Sequence, residues 1–237
     1  MTQFVMVAGA WLGAWAWDEV VPELRAAGHG AHPLTLSGIA EKRDVQGAGQ
    51  QTHVRDIVDE VERLDLRDVV LVGHSYAGVP VGQAAERIGD RLARVVFVDS
   101  NVPTDGESFS LGWWQGQEKF EAELAANGGF WVPLAAEDFE GQGLTDEQIA
   151  RIVAGATPQP GATVTEPAVL ERPLGALPAT YIKCLLDGGE PSDDAAKLLA
   201  GSEGRWELVR MDTGHWPMFS QPHELAQILL KAAAGES

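Results

Sequence analysis

The stretch VVLVGHSYAG, residues 69–78, decides the fold. Its first four residues are a continuous run of β-branched and aliphatic side chains, as expected of a strand covered on both faces. The run ends at Gly73, and Ser75 follows two residues later with Ala77 and Gly78 behind it. G-x-S-x-small between a strand and a helix is the pattern of a nucleophile elbow. In such a turn the serine takes a strained backbone conformation that lifts its hydroxyl above the sheet edge. The residues two before and two after must be small, and Gly73 and Ala77 meet that limit. Ala77 stands where glycine is usual. The five-residue pattern alone occurs by chance; its strand-then-helix setting gives it weight.

Five further short segments resemble strands: 4–8, 30–35, 94–99, 179–186 and 205–211. Helix-like stretches lie between them. The residues WAWDEVVPELRAAG end on a glycine stop at Gly28. The residues THVRDIVDEVERLD set Val54, Ile57, Val58, Val61 and Leu64 on one face. PHELAQILLKAAAG closes the chain. Alternating strands and helices predict an α/β fold with a parallel sheet and helices on both faces. The alternation fails over about 103–177, which is rich in aromatic residues. A loop of that length is implausible inside a compact domain without structure and purpose. The expected organisation is one domain, residues 1–237, with a helical cap inserted at about 103–177.

The 237 residues can bury a large core, and the composition is that of a globular protein. The formal net charge of -18 repels polyanions, so nucleic acid and anionic membrane surfaces are poor partners. Cys184 is the one cysteine, which excludes an intrachain disulfide and fits a reducing compartment. The first residues carry no basic region and no apolar run reaches membrane-spanning length, so neither a secretory leader nor a membrane span is expected. The expected location is the cytoplasm.

A serine nucleophile needs a base and an orienting acid, in the chain order Ser, acid, His. His215 follows the last strand segment, in a loop ahead of the final helix, where the base belongs. His29, His32 and His53 precede the serine, His223 lies on the final helix, and the side chain of His74 is expected to point away. Two acids follow strands: Asp187 in CLLDGG and Asp99 in FVDSN. Chain order favours Asp187, with Asp99 as the alternative. The amide of Tyr76 opens the helix after the elbow and can donate to an oxyanion. No zinc motif is present, and neither metal nor cofactor is expected.

The stretches FVMVAGAWLGAWAWDEVVPELRAAGH, VVLVGHSYAG, VVFVDSNVPTDGES, YIKCLLDGGEP and TGHWPMFSQPHELA together resemble the α/β-hydrolase fold. Within it they resemble the esterase group of plant methylesterases and hydroxynitrile lyases. The resemblance implies a six-stranded sheet of order 2-1-3-4-5-6, with ligands bound where the order reverses. It implies Ala10 as the second amide donor of the oxyanion hole, opposite Tyr76. The group usually carries histidine where Ala8 stands. Its lyases carry a threonine and a lysine where Gly9 and Trp216 stand, and neither residue here can bind a cyanohydrin hydroxyl or receive cyanide. The expected activity is therefore hydrolysis of a small carboxylic ester, with a lyase or a non-catalytic small-molecule receptor as alternatives. Trp11, Trp113, Trp114, Phe130, Trp131 and Trp216 are the expected pocket residues, for an apolar or aromatic substrate. Cap aromatics can equally form the cap's own core. Oligomeric state is not legible.

Overall fold

A computed structural model describes residues 1–113 and 115–235. Along the chain lie β1 (Gln3–Val7), α1 (Val21–Ala26), β2 (Gly30–Leu34), α2 (Gln50–Arg63), β3 (Val69–His74), α3 (Gly78–Arg87) and β4 (Leu92–Val98). Then come α4 (Gln117–Ala126), β5 (Phe130–Trp131), α5 (Asp146–Gly155), β6 (Gln159–Pro160) and α6 (Ala162–Thr165). The chain ends with β7 (Ala179–Cys184), α7 (Asp193–Gly201), β8 (Trp206–Met211), α8 (Pro217–Ser220) and α9 (Pro222–Ala234).

The six long strands form one parallel sheet in the order β2-β1-β3-β4-β7-β8, the order implied by the resemblance. Successive strand residues point to opposite faces, so each strand feeds two cores. Val5, Leu71, Val95 and Phe97 pack with Val54, Ile57 and Val61 of α2 and Val81 and Ala84 of α3. Phe4, Met6, Val70, Val72 and Val96 pack on the other face with Trp17, Leu24 of α1 and Leu225 and Leu229 of α9. Every one of these side chains is buried, which is why β1, β3 and the second half of β4 read as apolar runs.

Local departures from the sequence reading have local causes. The first helix is split into a 3-10 turn, Ala14–Trp17, and the short α1, which has proline at its start where a missing N–H costs nothing. Leu64 lies past the last turn of α2 and is exposed. Residues 103–177 hold helices α4, α5 and α6, but also β5 and β6, which pair antiparallel as a second small sheet. Thr145 caps α5 by accepting from the Gln148 amide, so this helix begins where a Thr-x-x-Gln signature would place it. Among the described residues no helix is long and apolar enough to cross a membrane.

Candidate active site

β3 delivers Ser75 into a turn whose geometry excludes side chains nearby. Ser75 has φ 54°, in the left-handed region that costs a non-glycine residue free energy. A Cβ on Gly73 would come within 3.0–3.1 Å of the Ala77 carbonyl and Gly78, and one on Gly78 would run into Ser100 and the Asn101 carbonyl. The elbow is therefore cramped by its own following helix and by the chain leaving β4. Trp11 and Asp99 also have positive φ, at 68° and 43°. Ser75 and Trp11 line one cavity, and Asp99 contacts a third lining residue, His215, so three of the strained positions serve one site.

The cavity has a volume of about 420 Å³ and opens above the carboxyl ends of β1 and β3, where the strand order reverses. Ser75, His74, His215, Asp187, Gly9 and Ala10 line it, and so do Trp11, Phe109, Trp113, Trp131 and Trp216. The loop after β1 has three consecutive amides near the serine. Gly9 N–H donates to His74 Nδ1 at 3.1 Å, and Trp11 N–H donates to Gln159 Oε1 at 3.2 Å. The Ala10 amide between them has no acceptor among the described residues. Gly9 is required by contact rather than by φ, since a Cβ there would lie 2.8 Å from both Ser75 Cβ and His74 Nδ1. Gly9→Ala is expected to lower kcat/KM at least ~30-fold on a chromogenic ester, because displacement by a fraction of an ångström suffices to misalign reacting groups. Steady-state kinetics with a folded variant checks this.

His215 follows β8, and its Nδ1 donates to Asp99 Oδ2 at 2.7 Å. The same Nδ1 lies 3.3 Å from Asp187 Oδ2. Both acids highlighted by the sequence thus face one nitrogen, because β4 and β7 are neighbours in the sheet. They differ in environment: the Asp99 side chain is 1% exposed and that of Asp187 is 42% exposed. The one Nδ1 proton is directed at the shorter, buried contact, where a hydrogen bond is screened least. Burial opposes charge on His215, but contacts with Asp187 and Asp99 outweigh it and raise its pKa to about 9. Hydrogen bonding to His215 holds the Asp187 carboxyl well below the usual range, against the effect of burial.

Three features differ from the sequence reading. His74 was expected to turn away, yet its ring packs 4.8 Å from that of His215 and its Nε2 donates to the His215 carbonyl at 2.7 Å. With Nδ1 accepting from Gly9, both nitrogens of a neutral imidazole are used, and burial holds the pKa of His74 well below 6.5. Phe130 does not line the cavity. Phe130 is exposed and borders a neighbouring cavity of about 350 Å³, whereas Trp131, next to it in β5, borders both cavities. Trp114 lies outside the described residues. Phe109, Asn101, Leu134, Asp138 and Gln142 complete the wall and were not singled out in the sequence. Gln142 also accepts the His215 N–H at 2.7 Å, tying the base loop to residues 103–177. The aromatics serve both roles: Trp113 stacks on Phe120 at 4.5 Å while facing the cavity, and Trp11 meets Trp131 at 4.4 Å.

Asp99, Asp187 and His215 present ligand atoms within 4.8 Å of one another, the reach of a metal site. The donor set argues against that use, because an ammonium, Lys183 Nζ, already sits 2.7 Å from Asp99 Oδ1.

Comparison with known proteins decides the family. Residues 4–228 match the model of the alpha/beta hydrolase family. The chain belongs to that family. It is 31% identical to a carbendazim hydrolyzing esterase of Nocardioides sp. (strain SG-4G), over 97% of this chain and 98% of that one. It is 29% identical to methylesterase 9 of Arabidopsis thaliana, over 98% of each. Among solved structures, an extracellular alpha/beta-hydrolase from a Paenibacillus species superimposes with a TM-score of 0.84 at 24% identity, covering 98% of both chains. This last likeness shows the shared fold.

The histidines of this hydrolase set its stability against pH. His53 is buried and its pKa is pushed down to about 4, and His74 is lowered too, so the unfolded chain binds their protons first and stability falls as pH drops below 6.5. His215 has the opposite sign. Its folded pKa is raised, so its contribution is complete below 6.5 and is lost as pH rises through about 9. The melting temperature is expected to peak near neutrality and to decline on both sides, measured by calorimetry across pH in buffers of matched ionisation enthalpy. His215→Gln is expected to flatten the alkaline decline.

Proposed function

We propose that this chain is a serine esterase that cleaves small, uncharged, apolar or aromatic esters through an acyl-enzyme. The observation that carries this reading is a serine held at φ 54° in the wall of a cavity it shares with a carboxylate-bound histidine. His215 Nδ1 faces the acids, which leaves Nε2 as the proton acceptor. Ser75 Oγ attacks the ester carbonyl while its proton passes to His215 Nε2. The carbonyl oxygen gains the negative charge, and the amides of Ala10 and Tyr76 stabilise it; such donors contribute a few kcal/mol. The imidazolium then protonates the leaving alkoxide. A water molecule repeats the sequence and releases the acid, returning the proton to the histidine and then to Ser75.

The acid role is shared in this reading. Asp99 accepts the Nδ1 proton in the resting enzyme, and Asp187 flanks it as a second, solvent-facing carboxylate. Residues 103–177 act as a cap within a single domain and supply Trp113 and Trp131 to the cavity. Among the described lining residues there is no lysine or arginine, so an anionic substrate has no counter-ion there. The names of the relatives, a carbendazim hydrolyzing esterase and plant methylesterases, support ester cleavage. Gly9 and Trp216, where the lyases carry threonine and lysine, do not support cyanohydrin cleavage. The net charge of -18 supports neither nucleic-acid nor anionic-membrane binding, and the free, buried Cys184 supports a cytoplasmic location. A fluorophosphonate probe is expected to label the protein at one site, with labelling lost in Ser75→Ala and slowed by an aryl acetate. Labelling that persists in Ser75→Ala would overturn the reading.

A further inference from the structure

Lys183 interrupts the apolar run of β7. Its side chain is 7% exposed, and a buried ammonium requires compensating partners. It has two. Nζ donates to Asp99 Oδ1 at 2.7 Å and to the backbone carbonyl of Asp187 at 2.7 Å. Asp99 Oδ1 also accepts the Cys184 N–H at 3.1 Å, while its other oxygen takes the His215 proton. One ammonium therefore holds both acids of the site, one by its carboxylate and one by its main chain.

The arrangement answers an electrostatic problem. Two carboxylates facing one imidazole favour its protonated form, and its pKa is raised to about 9 even with Lys183 in place. Further uncompensated negative charge would hold the proton over more of the pH range in which a general base must give and take it. We propose that Lys183 is a positioning residue of the hydrolytic site: it fixes Asp99 and the turn at Asp187 against His215, and it cancels one of the two negative charges that the imidazole faces. This rests on Ser75 and His215 acting as nucleophile and base.

The other groups around His215 do not supply that charge. His74, at the end of β3, is neutral in the observed hydrogen-bond pattern. On β7, burial pushes the Tyr181 hydroxyl and the Cys184 thiol up, so both are uncharged at neutral pH. Asp138 across the cavity and Asp212 in the loop ahead of His215 are acids.

The test is the pH dependence of kcat/KM for 4-nitrophenyl acetate, whose acid limb reports the base in the free enzyme. Lys183→Met is expected to move that limb up by about one pH unit, which is about a tenfold loss at pH values below it. Adding Asp99→Ala removes the partner charge, and the limb of K183M/D99A is expected to return to the wild-type position with Asp187 as acid. Lys183→Arg keeps the charge and is expected to keep the limb. A folded K183M with a wild-type limb, or a double variant that retains the shift, would overturn the proposal. Should K183M not fold, the same comparison runs from Asp99→Ala. Its unpaired ammonium is expected to move the limb down, and K183M/D99A to move it back; a limb unmoved in both would equally overturn it. Failure of the underlying reading is distinguishable, because the wild type itself would then hydrolyse the ester without labelling at Ser75.

Discussion

Ser75→Ala is expected to lower kcat/KM for an aryl acetate by about 10⁵-fold, with little change in melting temperature. Removal of the nucleophile from a serine-histidine unit costs about that much, because the remaining groups have nothing to activate. The residual rate is expected to come from the amides of Ala10 and Tyr76 and from binding alone. Stability is expected to hold, since the serine hydroxyl makes no hydrogen bond among the described residues and alanine keeps the same Cβ at φ 54°. Stopped-flow and steady-state assays with thermal denaturation check both parts. A loss below about tenfold would mean that another group performs the attack.

The second large effect lies in the acids. Asp187→Ala alone is expected to lower kcat by no more than about tenfold, because Asp99 already accepts the His215 proton at 2.7 Å. The pair K183M/D99A, which removes one acid together with its counter-ion, is likewise expected to remain active. Adding Asp187→Ala to that pair leaves the imidazole with no carboxylate at Nδ1. The expected loss is then about 10⁴-fold, as for an uncoupled histidine of wrong tautomer. Non-additivity of this size is the signature of two groups sharing one role. A loss of about 10⁴ from Asp187→Ala alone would assign the role to Asp187 and reduce Asp99 to a structural partner of Lys183.

Much of this was legible in the sequence because its signals are short-range. The strand segments ending near Val7, His74 and Val98 show as apolar runs, since both sheet faces are covered there. The elbow shows because steric limits act on residues two apart. The shared acids were harder to read. Asp99 and Asp187 each follow a strand, but their convergence on one nitrogen depends on β4 lying beside β7. Lys183 held an unused clue: a lysine inside a doubly covered strand must find an anion, and the adjacent strand ends in Asp99. The place of His74 is not legible, because alternation along β3 says only which face a ring leaves by, not what the neighbouring loops bring to it. That Trp131 borders the site and Phe130 does not rests on a two-residue strand too short for periodicity to reveal.

The most direct measurement is the intact mass and peptide map of the protein quenched during turnover of a slowly deacylating aryl ester. One acyl group is expected on the peptide containing Ser75, appearing within the burst of released phenol and absent in Ser75→Ala. Full turnover with no acyl group on that peptide, or with the group on another residue, would contradict the account.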